Sequence, residues 1–150
     1  MSSVTEINRN NEDISSISEM KIEVRAAGRK GRGVYALKDI SEGDLLERAP
    51  GIFFDAAEST GLKPTAVFDH LLANPADYAP GNPGNTYALI NGGMSYCNHA
   101  ADNNAVIQWS FEADGLWLQL RALRAVAAGA EVTIHYTNLE EYPDGDGFET

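Results

Sequence analysis

The chain has 150 residues, 43% of them hydrophobic, which suffices for one domain around one core. No apolar run approaches the roughly 20 residues that cross a bilayer. Residues 1–20 also lack the charged-then-apolar order of a secretory signal, so the expected setting is intracellular, cytoplasmic if bacterial, with no membrane partner. A formal net charge of −11 argues against direct nucleic-acid binding and favours a basic protein or peptide as partner.

Residues 1–20 are rich in Ser, Asn and Glu with only patchy apolar spacing, and read as a mobile N-terminal arm. A strand is expected from Lys21, where Ile22, Val24 and Ala26 alternate with charged residues. Gly28, Gly31 and Gly33 interrupt it, a second strand covers 34–37, and a turn ending on Gly43 opens a third over 44–48. A helix is expected over 64–73, with Pro64 in its first turn and Val67, Phe68, Leu71 and Leu72 at helical spacing. Residues 75–85, with three prolines and two glycines, read as loop. Runs 106–111 and 116–122 alternate on either side of an Asp-Gly turn and form a hairpin. A last strand over 131–136 ends on Tyr136, and residues 138–150 form an acidic tail. The pattern is α+β and β-rich, without alternating βαβ units. A domain over 21–137 is thus expected between the arm and the tail.

Three segments carry candidate chemistry. The turn Gly28-Arg29-Lys30-Gly31-Arg32-Gly33 is followed by a strand, not a helix, so it is no dinucleotide fingerprint, but its glycines permit close backbone approach to a ligand. Residues 95–105 concentrate amides and a histidine, Asn98-His99 with Asn103 and Asn104; they serve equally as a ligand site or as a turn before the hairpin. The third segment, 129–136, is a strand whose terminal tyrosine is either a rim packing residue or a site residue. No metal site is expected: Cys97 is the single cysteine, and His70, His99 and His135 lack ligand spacing.

In this order the three segments resemble the signature of the SET-domain protein-lysine methyltransferases, in a minimal form without zinc-binding flanks. Gly31-Arg32-Gly33 matches the opening turn, Asn98-His99 and Asn104 the central motif, and Gly129, Glu131, Thr133 and Tyr136 the closing one. The resemblance implies a fold of several short sheets, with the Asn-His segment crossing beneath the C-terminal loop in a knot-like arrangement. It implies S-adenosyl-L-methionine as cofactor, bound by Gly31, Arg32, Gly33, Asn98 and His99, with Tyr136 as the catalytic tyrosine. Aromatic walls of a lysine channel are expected from Tyr87, Tyr96 and Tyr142, with Phe148 an alternative to Tyr142. Ala100, Ala101, Asn103 and His135 depart from the family pattern. They leave open a second reading, a SET-like module that binds cofactor or a basic peptide without turnover. The lack of flanking modules also raises the expectation of a homodimer that completes the substrate groove.

Overall fold

The structure is a computed structural model that describes residues 20–142. The expected arm, Met20 apart, and tail residues 143–150 with Phe148 lie outside the described residues. Strands β1 (Ile22–Ala26), β2 (Arg32–Ala36) and β3 (Leu45–Phe54) come first, then a helix α1 (Ala56–Leu62). After β4 (Leu71–Ala73) and β5 (Tyr87–Ile90) come β6 (Asn98–His99), the hairpin β7 (Ala105–Glu112) and β8 (Gly115–Ala122), and β9 (Glu131–Ile134). They form a four-stranded sheet in the order β1-β2-β9-β6 and a five-stranded sheet in the order β4-β5-β3-β8-β7.

One buried cluster draws on both sheets. Leu116, Leu118, Leu120 and Ala122 supply its centre from every second position of β8, with Val34, Val132 and Ile134 from the other sheet. Alternation of this kind buries one face of a strand. Each such leucine contributes about 1.5–3 kcal/mol by leaving water. The hairpin keeps unbroken register from Ala105↔Ala122 to Glu112↔Gly115, and Trp117 Nε1 donates to Asp114 Oδ1 at 2.9 Å across its turn.

Two expectations need correction. The third strand does not stop at Arg48 but passes through Pro50 and Gly51 to Phe54. Gly51 makes this possible, because a Cβ there would meet Leu118 Cδ1 at 2.5 Å. The helix expected over 64–73 is instead a 3-10 turn, Ala66–His70, running into β4. Strand β4 pairs with β5 from Leu71↔Leu89 to Ala73↔Tyr87, so its backbone finds ladder partners that override the local helical spacing. The α-helix lies earlier, opened by a reciprocal capping box in which Asp55 accepts the Glu58 amide and Glu58 accepts the Asp55 amide. Past residue 137, the first residues of the acidic segment pack against the rest of the chain. Asn138 is buried, and Leu139–Glu141 form a further 3-10 turn.

Candidate active site

Strand β6 is two residues long and lies at the edge of the four-stranded sheet, yet it joins several distant segments. It runs parallel to β9, with Asn98 beside Thr133 and His99 beside Ile134. The Asn98 side chain then ties three segments together: Nδ2 donates to Arg32 O at 2.9 Å and to Glu131 Oε2 at 2.8 Å. Lys30 closes the group by pairing with the other Glu131 oxygen. Gly33 sits against this knot of contacts, where a Cβ would lie 2.6 Å from Glu131 Oε2 and 2.8 Å from Asn98 Nδ2. The glycine turn is therefore held to β9 by an amide and a carboxylate, and only glycine fits between them. Gly31 is required for a different reason, its φ of 81° in open space.

Beyond His99 the chain of contacts reaches Tyr136. His99 is buried, and its Nδ1 accepts the Tyr136 amide at 2.9 Å. Burial foremost, and the nearby His135, hold the His99 imidazole below its ordinary pKa, so the ring stays neutral and keeps its acceptor. The Tyr136 hydroxyl donates to Cys97 O at 2.6 Å. The tyrosine is fastened at backbone and at hydroxyl, both times to the Cys97–His99 stretch. Cys97 itself is inert: burial, reinforced by the Glu47 and Glu131 carboxylates, pushes its thiol far above the ordinary range.

These elements border a cleft of about 530 Å³, within the range of sites that take cofactor-sized ligands. Its walls bring together Gly31, Arg32, Tyr96, Asn98, Tyr136 and Tyr142, six of the residues singled out in the sequence. Arg29, Lys30, Asp69, His70 and Ser95 complete it. Those five were not expected as site residues; the basic residues inside the glycine turn are the signal that points to Arg29 and Lys30. Arg32 lies over the Tyr96 ring at 5.6 Å, and the His70 ring meets Tyr96 edge-on at 5.3 Å.

Three expected residues are not on the cleft. Gly33 lies behind its wall, as described, and the His99 ring is turned to Tyr136. Tyr87 is 1% exposed in a second small core with Phe68, Leu71 and Ala73, and its hydroxyl donates to Glu141 Oε1 at 2.6 Å. It is a core residue of the region between β3 and β6.

Glu47 shapes the approach to β6. Its carboxylate accepts the amides of Gly93 and Met94 at 3.1 and 2.7 Å, seating the 3-10 turn Gly93–Tyr96 that delivers Tyr96 and Cys97. A Cβ on Gly92 would meet Ala49 at 2.7 Å and Glu47 at 2.9 Å, so that glycine is needed for the seat.

Beside the cleft lies a narrow passage of about 20 Å³, sharing Asp69, His70, Ser95, Tyr136 and Tyr142 with it. The rest of its lining is largely apolar and includes Leu72, Ile90, Met94, Ile107 and Ile134. A third hollow, of about 220 Å³, shares Leu72, Ile107 and Ile134 with that passage. Asn103 and His135, two of the residues that depart from the family pattern, line this hollow and not the cleft.

The family model of the SET domain matches residues 31–137, from the glycine turn to just past Tyr136. The chain belongs to the SET-domain family. Among solved structures, this SET domain is similar to a crystal structure from Plasmodium falciparum named a putative histone methyltransferase. The match has a TM-score of 0.59 and 20% identity, and covers 80% of this chain and 96% of that one. At that identity the likeness is one of fold. No curated protein matches the sequence. Among the described residues no helix of this SET domain is long and apolar enough to cross a membrane.

Proposed function

We propose that this SET domain transfers a methyl group from S-adenosylmethionine to the side-chain amine of a lysine in a basic protein. The observation that carries the reading is the adjacency of three spaces that share lining residues: a wide cleft, a narrow and largely apolar passage and a third hollow, with Tyr136 lining the first two. In this reading a cofactor takes the first, the end of a lysine side chain the second, and the peptide that bears it the third.

The cleft residues fit such a cofactor. With both amide hydrogens of Asn98 engaged by Arg32 and Glu131, its Oδ1 is the group it offers, an acceptor suited to an ammonium. Arg29 and Arg32 give a cationic rim suited to a carboxylate, whereas Lys30 is already paired with Glu131. When bound, S-adenosylmethionine supplies an electrophilic methyl on a sulfonium. The protein's part is alignment: the passage holds the lysine chain in one direction and excludes water. Its apolar lining disfavours the ammonium form, so the amine, ordinarily with a pKa of about 10.4, loses its proton more readily there. Tyr136, its hydroxyl hydrogen committed to Cys97 O, presents its oxygen as an acceptor, the polarity that orients an amine N–H or a polarised methyl C–H.

The departures at Asn103 and His135 favour turnover over a silent binding module, because they border the third hollow and do not line the cleft. They bear on which peptide is accepted. The test is calorimetric titration with S-adenosylmethionine, followed by transfer of labelled methyl to a panel of basic proteins. Wild type binds and labels lysine. Gly33→Ala, which forces apart Asn98 and Glu131, gives no binding heat. Tyr136→Phe labels more slowly by on the order of 100-fold, the size of effect that loss of one site hydroxyl produces. Absence of heat with wild type refutes the cofactor, and equal labelling by wild type and Tyr136→Phe removes the tyrosine from the chemistry.

A further inference from the structure

Tyr142 lines both the cleft and the passage, and its ring lies 5.0 Å from that of Tyr136 at an interplanar angle of 34°. The turn just before it contributes to that placement. The 3-10 turn Leu139–Glu141 has only three residues, too few to be stable alone. It is held from outside. Glu141 Oε1 accepts from the Tyr87 hydroxyl at 2.6 Å and from Asn138 Nδ2 at 2.9 Å, and Oε2 lies 3.7 Å from Lys63 Nζ. A second strut joins the Tyr78 hydroxyl to Glu140.

The Tyr87 donor belongs to a packed core. Tyr87 is fixed in β5, packed against Phe68 with ring centroids 5.2 Å apart. Burial, followed by the Glu141 bond, pushes its phenol above the ordinary range, so it remains a donor at every physiological pH. Lys63 is half exposed, so its ion pair adds little.

We propose that Glu141 is a positioning residue for the cofactor cleft: its carboxylate, gripped by the Tyr87 hydroxyl and Asn138, keeps Tyr142 against Tyr136 and so sets affinity for the cofactor. The proposal rests on the reading of the cleft as an S-adenosylmethionine site. It couples the region between β3 and β6, which supplies Tyr87, to a cleft that this tyrosine does not touch. Apparent affinity falls in proportion to the fraction of time Tyr142 is out of place.

Two measurements on the full chain test it. The first is amide hydrogen exchange at Glu141 and Tyr142, whose N–H groups close the turn onto Asn138 O and Leu139 O. Tyr87→Phe, which keeps the packing ring, and Glu141→Ala are expected to speed exchange at both amides by about tenfold. Unchanged exchange overturns the latch whether or not the cleft binds cofactor. The second is calorimetric titration with S-adenosylmethionine. Glu141→Ala is expected to weaken binding by about tenfold, and Glu141→Gln, which keeps an acceptor for the Tyr87 hydroxyl, to recover most of that loss. In a Tyr142→Ala background, Glu141→Ala is expected to cost nothing more, because it acts through the ring already removed. Two losses that multiply overturn the positioning role. Wild type that shows the latch by exchange but gives no heat overturns the cofactor reading instead, and with it the affinity claimed here.

Discussion

Nδ1 of His99 accepts the Tyr136 amide, and a nitrogen that accepts cannot carry a proton. The consequence is a pH dependence whose sign is fixed. Burial, then His135, depress the folded-state pKa below the unfolded value of about 6.5. The neutral ring's contribution is therefore complete above about pH 6.5 and is lost as pH falls through the folded pKa, because the unfolded chain takes up a proton that the folded one resists. Urea midpoints measured from pH 7.5 to pH 5 are expected to decline in wild type and to decline less in His99→Gln. Equal slopes would deny His99 this role. Tyr87 gives the opposite lesson at the same scale. As an aromatic near the Asn-His segment it reads as a channel wall, but β5 turns its ring into a core and its hydroxyl to a glutamate 54 positions away. Sequence proximity gave its neighbourhood and not its direction.

Strand β9 has a stand-in neighbour made of one side chain. Asn104 Oδ1 accepts the Thr133 amide at 2.9 Å, and its Nδ2 donates to Glu131 O at 2.9 Å. A side-chain amide thus does for two backbone groups what another strand's peptide would do. Asn104→Ala leaves both without that partner, and Thr133 is buried, so a loss of about 2–3 kcal/mol in unfolding free energy is expected. Asn104→Asp retains the acceptor and is expected to fall between the two. Chemical denaturation of the three proteins checks the order, and an Asn104→Ala variant as stable as wild type would show the contact to be dispensable. The misread helix belongs to this scale as well. Asp55 and Glu58 stand at capping-box spacing, but α1 lacks an apolar stripe, with Ser59 its one buried residue. The apolar spacing at 64–73 reads more strongly, and β5 converts the end of it into strand.

Across the whole molecule the formal charge of −11 contrasts with the Arg29, Lys30 and Arg32 group at the cleft. An acidic surface attracts a basic substrate over distances that salt screens, with a Debye length of about 10 Å at 0.1 M ionic strength. For a lysine-rich peptide substrate, KM is accordingly expected to rise several-fold between 0.05 and 0.3 M ionic strength while kcat holds steady. Steady-state rates across that range check this, and a KM insensitive to salt would show that charge does not recruit the peptide.

The sequence by itself determined β1, β2, the start of β3, the β7–β8 hairpin, β9 and the three motif segments, but not β4, β5 or β6. What it determined is local: alternation, glycine freedom and an Asp-Gly turn act between residues close along the chain. Of the motif residues, Gly31, Arg32, Asn98 and Tyr136 line the cleft, whereas Gly33 and His99 of the same motifs do not. Tertiary structure alone decided that Asn98 faces Glu131 across 33 positions, that Gly33 has no room for a Cβ, and that Glu47 seats the Gly93–Tyr96 turn. It likewise decided that Tyr87 holds Glu141 and leaves the cleft to Tyr142. Each of these is a contact between distant segments, whose partner is chosen by sheet order and packing and not by spacing along the chain.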